Sequence, residues 1–464
     1  MIDISSLPHF APEGYSKTTI PLLGDQIAEI LPDDESYVWL ESHQAGKRFI
    51  FLGETWSIEC YSDKTEITFS TQPKKVTLKE PMAYLDFFNL LEKDWLPLQP
   101  KDFKLPWALA YEAGWNTETR KKESINKKDS LPELWLACPK AIIIQDIKES
   151  HACLIQPKHL AEVNLAKKRS LNLNYSKNTT ITVDQSKETY LNKIENVKKH
   201  IREGDSFQVN LSQGFQAHGK IDLPSWAHHS FQKQASSFGA LVKTKNFSLM
   251  SLSPERLVAC ENEKLITRPI AGTLAVKDDE SEQELNNFRN HPKELAEHNM
   301  LIDLERNDLG KVSIPGSVEV EEYLTIETLP HVHHLVSQVV GKKSPTCHFG
   351  DILFALFPGG TITGCPKLET MHIIDKLEDN SRSFYTGSLG YLGQSHFDSN
   401  ILIRTAIVHK ETTYMRFGGG LVWDSDPEKE YLETLAKARG LISSLLEGGA
   451  KFDPHHRSLR QFFS

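Results

Sequence analysis

The chain has few cysteines, no block of basic charge and no long apolar run, and each shortage removes a class of function. Its six cysteines (Cys60, Cys138, Cys153, Cys260, Cys347 and Cys365) are scattered over 464 residues. With no Cys-x-x-Cys pair they suggest neither zinc nor dithiol chemistry, and reduced thiols in a cytosol fit best. No stretch offers the roughly 18 apolar residues of a membrane span, and the opening MIDISSLPHFAPEGY lacks the basic and apolar pattern of a secretory signal. Lysine plus arginine number 53 against 62 acids, a net charge of −9. That balance, without a Lys/Arg cluster, argues against a nucleic-acid or anionic-membrane partner. The expectation is a cytoplasmic protein in which any anionic ligand is caught by local positive charge.

The length exceeds what one core usually serves, so one large composite domain or two domains is expected. Residues 1–155 mix short strand-like runs (SYVWLE, KRFIFLG, AIIIQD) with turns and carry no evident chemistry. Residues 156–188 turn polar and read as a surface connection. From 189 to 450 helical and strand signals alternate: YLNKIENVKKHIREGD has helical spacing with a glycine stop, and SFQVNLSQGF reads as a strand. Residues 451–464 form a tail. Neither an internal repeat nor a low-complexity tract is present.

KELAEHNMLIDLERNDLG, residues 293–310, sets Glu294, Glu297, Leu301 and Leu304 on one stripe of a helix. DSDPEKEYLETLAKARGLISSLLE, residues 424–447, opens with Asp426 as N-cap and Pro427 at the first helical position, and it carries Glu430 and Glu433 three apart. Alone, each pair reads equally well as a solvated helix surface, with Glu433 meeting Lys437 one turn on. Four carboxylates brought together would repel unless a cation sat between them, and oxygen ligands favour a hard divalent ion, naturally Mg2+.

Three further stretches suggest anion binding. FPGGTITGCPK, residues 357–367, looks superficially like a phosphate-binding loop, but Cys365-Pro366 replaces the Lys-Ser/Thr that would hold nucleotide phosphate and metal. It can still present amides at the start of the next helix, and RFGGGLVWD offers a second close backbone approach. NILIRTAIV places Arg404 inside an apolar, strand-like run, where a guanidinium needs an anion. His331, His333 and His334 cluster in HVHHLVS, a weak metal signal that hydrogen-bonded histidines explain better.

Over roughly 185–448 the sequence resembles the chorismate-utilising enzymes. The resemblance rests on GDSFQVNLSQ, SPERL, RPIAGT, ELAEHNMLIDLERNDLG, VHHLVS, FPGGTITGCPK, YTGSLGY, NILIRT and FGGGLVWDSDPEKEYLET, in the family's order. It implies an α/β (α+β type) fold like that of anthranilate synthase component I, with two large, mainly antiparallel sheets facing each other and helices outside. It also implies site residues. Glu297 and Glu433 would bind Mg2+ with support from Glu294 and Glu430. Arg404 and Tyr385 would grip a carboxylate, helped by the amides of Gly418, Gly419 and Gly420, while Gly272, Thr273, Thr361, His334 and Lys437 line the ring. Glu255 of SPERL corresponds to the general acid for the departing C4 hydroxyl, which requires a raised carboxyl pKa.

Within that family Gln208 stands where water-adding members carry a lysine base, so the chain resembles the amine-adding members, which need no base for neutral ammonia. FQVNLSQ and FPGGTITG resemble component I of aminodeoxychorismate synthase more than that of anthranilate synthase. The resemblance therefore implies chorismate as substrate and ammonia delivered by a glutamine amidotransferase subunit in a heterodimer. Ala271 in PIAGT excludes a lysine nucleophile at that position. The LES segment with Ser42 resembles a tryptophan-binding element, so residues 1–155 hold either such a pocket or ordinary sandwich packing.

Overall fold

Runs in which every residue is apolar, such as FIFL and AIII, belong in strands buried on both faces. The computed structural model places them there; it describes all residues except 1–3, 5–6, 22–26, 43–45, 71–73, 79–82, 118–129, 150, 161–164, 166–168, 235, 277–280, 330–331 and 464. In Lys47–Leu52, Phe49 and Phe51 enter one apolar layer and Ile50 and Leu52 another, because successive side chains point to opposite faces. Among the described residues one sheet holds 13 strands and the other 12. Every strand pair is antiparallel except Thr180–Ile181 beside Lys451–Phe452.

Between the sheets lies an aromatic-rich core that includes Trp56, Trp95, Trp107, Phe88 and Phe349. The outer face of the larger sheet is covered by helices α1 (Lys187–Glu203) and α3 (Pro427–Glu447), through Tyr190, Ile194, Leu435 and Ile442. Their ends follow local rules. Ser186 caps α1 by accepting the Thr189 amide at 3.1 Å, and Gly204 ends it at φ +84°. Asp426 caps α3 by accepting the Lys429 amide at 3.0 Å, with Pro427 in the first turn. The fold is the expected one: two large, mainly antiparallel sheets facing each other, with helices.

The stretches are parts of one composite fold, in which 1–155 is the N-terminal part. The strand Tyr37–Ser42 pairs with Phe238–Lys243, and Leu105–Leu109 pairs with Ser388–Leu392, so residues 1–155 and 189–450 share both sheets. The polar stretch 156–188 is not merely a surface connection, since Thr180–Val183 is a strand and the buried Tyr175 donates to the Ser444 carbonyl at 2.6 Å. Nor is 451–464 a free tail: Phe452 lies beside Ile181 and Phe463 is buried. Polar composition misled here because side chains alternate along a strand: Thr180 is exposed while Ile181 is buried.

A cleft arises where the chain twice changes sheets. The elements involved are β1 (Gln208–His218), β2 (Ser248–Ser253), β3 (Arg256–Glu261), β4 (Ile270–Ala275), β5 (Val332–Lys342), β6 (His396–Ile401), β7 (Thr405–His409) and β8 (Thr412–Leu421), with helix α2 (Pro292–Gly310) alongside. Strands β2 and β7 pair in the larger sheet, and β3 and β6 pair in the smaller one. The chain therefore crosses at 254–255 and again at 402–404. The crossings are bound together: the Ile401 amide donates to the Glu255 carbonyl and the Leu252 amide to the Arg404 carbonyl, each at 3.0 Å. Because β7 leaves, its pairing with β8 ends at Ala406 opposite Met415, whereas β1 follows β8 to Leu421. The last part of β8, Gly418–Gly420 included, thus has a strand on one side only, and its other edge faces the crossing.

Candidate active site

Glu255 and Arg404 occupy the two crossings. NILIRTAIV is accordingly not one strand: β6 ends at Ile401, β7 starts at Thr405, and Arg404 sits between them at φ +50°. That left-handed conformation costs a non-glycine residue about 1–2 kcal/mol. It turns the guanidinium toward the cleft, where it forms no hydrogen bond or ion pair with any described residue. Burial pulls its pKa down, and Glu255 is the acid near enough to counter that. A desolvated cation with no salt-bridge partner is a site for an anion.

Glu255 is 5 % exposed, and burial pushes its carboxyl up to about 8. The Thr361 hydroxyl and the Ile270 amide face it and draw the value down, whereas Glu305 raises it further. A carboxylic acid that stays protonated at neutral pH, beside a free guanidinium, can deliver a proton to a leaving oxygen.

The free edge of β8 supplies the facing wall. Lys437 of α3 donates to the Gly418 carbonyl at 3.0 Å and meets Glu433 at 2.8 Å, and the Gly418 amide lies against the Tyr385 hydroxyl. The glycines are there for approach. A Cβ on Gly419 would stand 3.4 Å from Glu430, 3.8 Å from Glu433 and 3.8 Å from Lys437; one on Gly420 would meet the Gln208 amide at 2.1 Å. Glu430 is buried and accepts the Ser425 hydroxyl at 2.7 Å.

Across the cleft, Gly272 forms a bulge between β4 and β5 at φ +66°, and a Cβ there would lie 2.8 Å from Glu294. Its carbonyl accepts from Nδ1 of His334 at 3.1 Å, which leaves Nε2 as the acceptor. Burial pushes the His334 imidazole down to about 4, so it is neutral. His333 contacts the Thr328 hydroxyl at 2.9 Å, while His331 and the Thr273 side chain lie outside the described residues.

Of the four glutamates, Glu294 of α2 lies beside Gly272, and Glu430 and Glu433 of α3 lie beside Gly419. Glu433 makes the one-turn ion pair with Lys437, half exposed. Among the described residues, three ligand atoms of His, Cys, Asp or Glu come within 4.8 Å of one another only at His200, Glu203 and Asp205, on the surface. No three of Glu294, Glu297, Glu430 and Glu433 are gathered so closely; by donor chemistry alone, carboxylates suit a hard divalent cation.

Pro366 is the N-cap of the helix Lys367–Leu377, and Lys367 is spent on Asp308 at 2.8 Å and the Leu356 carbonyl at 2.9 Å. The loop's contribution to the cleft is Thr361. The expected tryptophan-binding element falls largely outside the described residues, which omit the Ser42 side chain and residues 43–45.

Sequence reasoning missed the support behind Tyr385. Arg382 and Arg416 clasp Glu378, with Arg382 donating to it at 2.8 Å and Arg416 at 3.2 Å. Burial would raise the Glu378 carboxyl, but the two guanidiniums hold it down at about 2. Asp184, Arg416 and Tyr385 also line a cavity of about 370 Å³ beside the cleft.

Residues 35–443 match the family described as chorismate binding enzyme. The chain belongs to the chorismate binding enzymes. It is 46% identical over 261 residues to the anthranilate synthase component I-like protein of Synechocystis, which covers 55% of this chain and 54% of that protein. To aminodeoxychorismate synthase component 1 it is 40% identical in Salmonella typhimurium (55% of this chain, 57% of that protein) and 42% in Bacillus subtilis (54% of each). The chain spans about half the length of the curated relatives it matches. Its fold is that of anthranilate synthase component I from Streptococcus pneumoniae (TM-score 0.72, 24% identity, 85% of this chain and 92% of that one). The menaquinone-specific isochorismate synthase of Escherichia coli shares it too (TM-score 0.70, 18% identity, 95% and 97%). No helix among the described residues is long and apolar enough to cross a membrane.

Proposed function

We propose that this chorismate binding enzyme is component I of an aminodeoxychorismate synthase, which aminates chorismate at C4 with ammonia to give 4-amino-4-deoxychorismate. The observation that carries the reading is the juxtaposition of Glu255, protonated at neutral pH, with Arg404, a cation with no hydrogen bond or ion pair among the described residues. The guanidinium and the Tyr385 hydroxyl hold a carboxylate of chorismate, and Glu255 protonates the C4 hydroxyl, which leaves as water. Gln208 lies against Gly420 and has no proton-accepting role; it orients the incoming nucleophile. Ammonia supplies the electron pair for the new C–N bond, and the ammonium so formed releases the proton that replaces the one lost by Glu255.

With alanine at 271, no covalent lysine intermediate forms at that position; a small nucleophile adds at C2 as the protonated C4 hydroxyl leaves as water, and ammonia then adds at C4 as the C2 nucleophile departs. Glu297 and Glu433 would hold Mg2+, with Glu294 and Glu430 in support, and when bound the ion supplies positive charge for the ring carboxylate. The ammonia would come from a glutamine amidotransferase partner in the cytoplasm.

Relatives named anthranilate synthase support a second reading, conversion of chorismate to anthranilate and pyruvate. Incubating the protein with chorismate and ammonium, with and without Mg2+, and weighing the product separates the two. A magnesium-dependent, non-aromatic amine that keeps its enolpyruvyl group is expected. Fluorescent anthranilate with pyruvate would replace this reading by the second.

A further inference from the structure

Glu305 is a buried acid to which the reaction above gives no task. It lies on α2, 5 % exposed, and its Oε2 accepts the Thr267 hydroxyl at 3.0 Å. Three residues beyond Thr267, the Ile270 amide faces the Glu255 carboxyl. Both buried acids therefore hang on one short segment. The helix is tied to the same place from the other side, because Leu304 fills the space a Gly360 side chain would need: a Cβ there would lie 2.0 Å from Leu304 Cδ2. Thr361, which faces Glu255, is the next residue.

The charges around the pair come from every element packed on it. On α2, Asp308 is close to Glu305, but its own cations are Lys311 at 2.7 Å and Lys367 at 2.8 Å. Lys367 therefore acts on Glu305 only at a distance. On the cleft side, Arg404 and Lys437 act on Glu255 without hydrogen-bonding to it. Among the described residues neither carboxyl is in contact with a cation. Two carboxyls in one apolar setting do not ionise together; they lose their protons in two separate steps, as a pair. In keeping with this, burial raises Glu305 to about 7 as it raises Glu255 to about 8.

We propose that Glu305 is a positioning residue for Glu255: near neutral pH the pair carries one negative charge, and Glu305 takes it, which keeps Glu255 the protonated member. This rests on the reading of Glu255 as the acid of the reaction, and the test keeps the two apart.

The test is a 13C-carboxyl NMR titration of the resting protein, labelled at glutamate. The Glu255 signal is assigned by its loss in Glu255→Gln, and the alkaline limb of kcat/KM is measured in parallel. In Glu305→Gln the Glu255 midpoint falls by about one pH unit, the alkaline limb follows it, and KM near neutrality stays within about twofold. An unmoved midpoint overturns the proposal, even if the variant melts earlier, because a purely structural acid would do only that. Should Glu305→Gln not fold, Thr267→Val serves: losing the donor favours neutral Glu305, so the midpoint shifts the same way by less, and no shift is again a refutation. The titration needs no turnover. A protein that shows the shift but leaves chorismate untouched therefore sinks the proposed function alone, and turnover without a shift sinks this inference alone.

Discussion

Glu255 and Arg404 are each unfavourable to the folded chain, in opposite ways, and both burdens make sense only with a ligand between them. Glu255 is protonated in the fold up to about pH 8 and ionised in the unfolded chain from about pH 4.5. Folding therefore takes up a proton in that window, and the group opposes folding increasingly as pH rises through it. Glu255→Gln removes the penalty. We expect thermal melts in which the variant gains on the parent between about pH 5 and 8, with no gain below that, while turnover falls at least about 100-fold. A gain that instead grew toward acid pH would contradict the raised carboxyl. Arg404→Gln removes a desolvated charge with no ion-pair partner among the described residues, so Tm should stay level or rise while calorimetric affinity for chorismate falls at least about tenfold. A marked drop in Tm would reveal an ion pair in the resting protein.

At the scale of elements, the free edge of β8 and the absence of side chains along it decide what can approach. The two outer glycines of Gly418–Gly420 differ in what lies above them. A Cβ on Gly420 meets the movable end of Gln208, whereas one on Gly418 meets the Leu211 carbonyl at 2.7 Å as well as the Asn210 side chain at 2.8 Å. Gly420→Ala should therefore impair turnover by displacing the amide with little change in Tm. Gly418→Ala should cost about 1–3 kcal/mol in chemical denaturation. Equal Tm losses for the two would contradict this division. Helices α1 and α3 were legible in the sequence because their signals are local: Ser186, Gly204, Asp426 and Pro427 stand where caps belong. The glycine run was legible as a close approach, but not as a strand edge, because the edge exists only where β7 departs.

Over the whole molecule, antiparallel sheets shuffle distant segments, and no periodicity announces which. That is why 1–155 and 189–450 read as separate stretches although each sheet joins a block of strands from one to a block from the other, and why the strand at 180–183 hid in polar sequence. Glu255 shows the limit most plainly. At a crossing between strands it has no stripe, cap or alternation, and resemblance alone singled it out. Glu305 and the clasp of Arg382, Glu378 and Arg416 escaped notice because burial of a charge is a property of the fold, not of its neighbours in sequence. Arg404 drew attention, for the right chemical reason, inside a strand that does not exist. The crossing of the two sheets is the common cause: it breaks the strands, bares the β8 edge and brings acid and cation face to face. The most direct test is a crystal structure of the Glu255→Gln variant with chorismate and Mg2+. It should show one substrate carboxylate on Arg404 and the C4 hydroxyl within hydrogen-bond reach of residue 255. Chorismate seated elsewhere, for example in the cavity beside Asp184 with Arg404 untouched, would contradict the account.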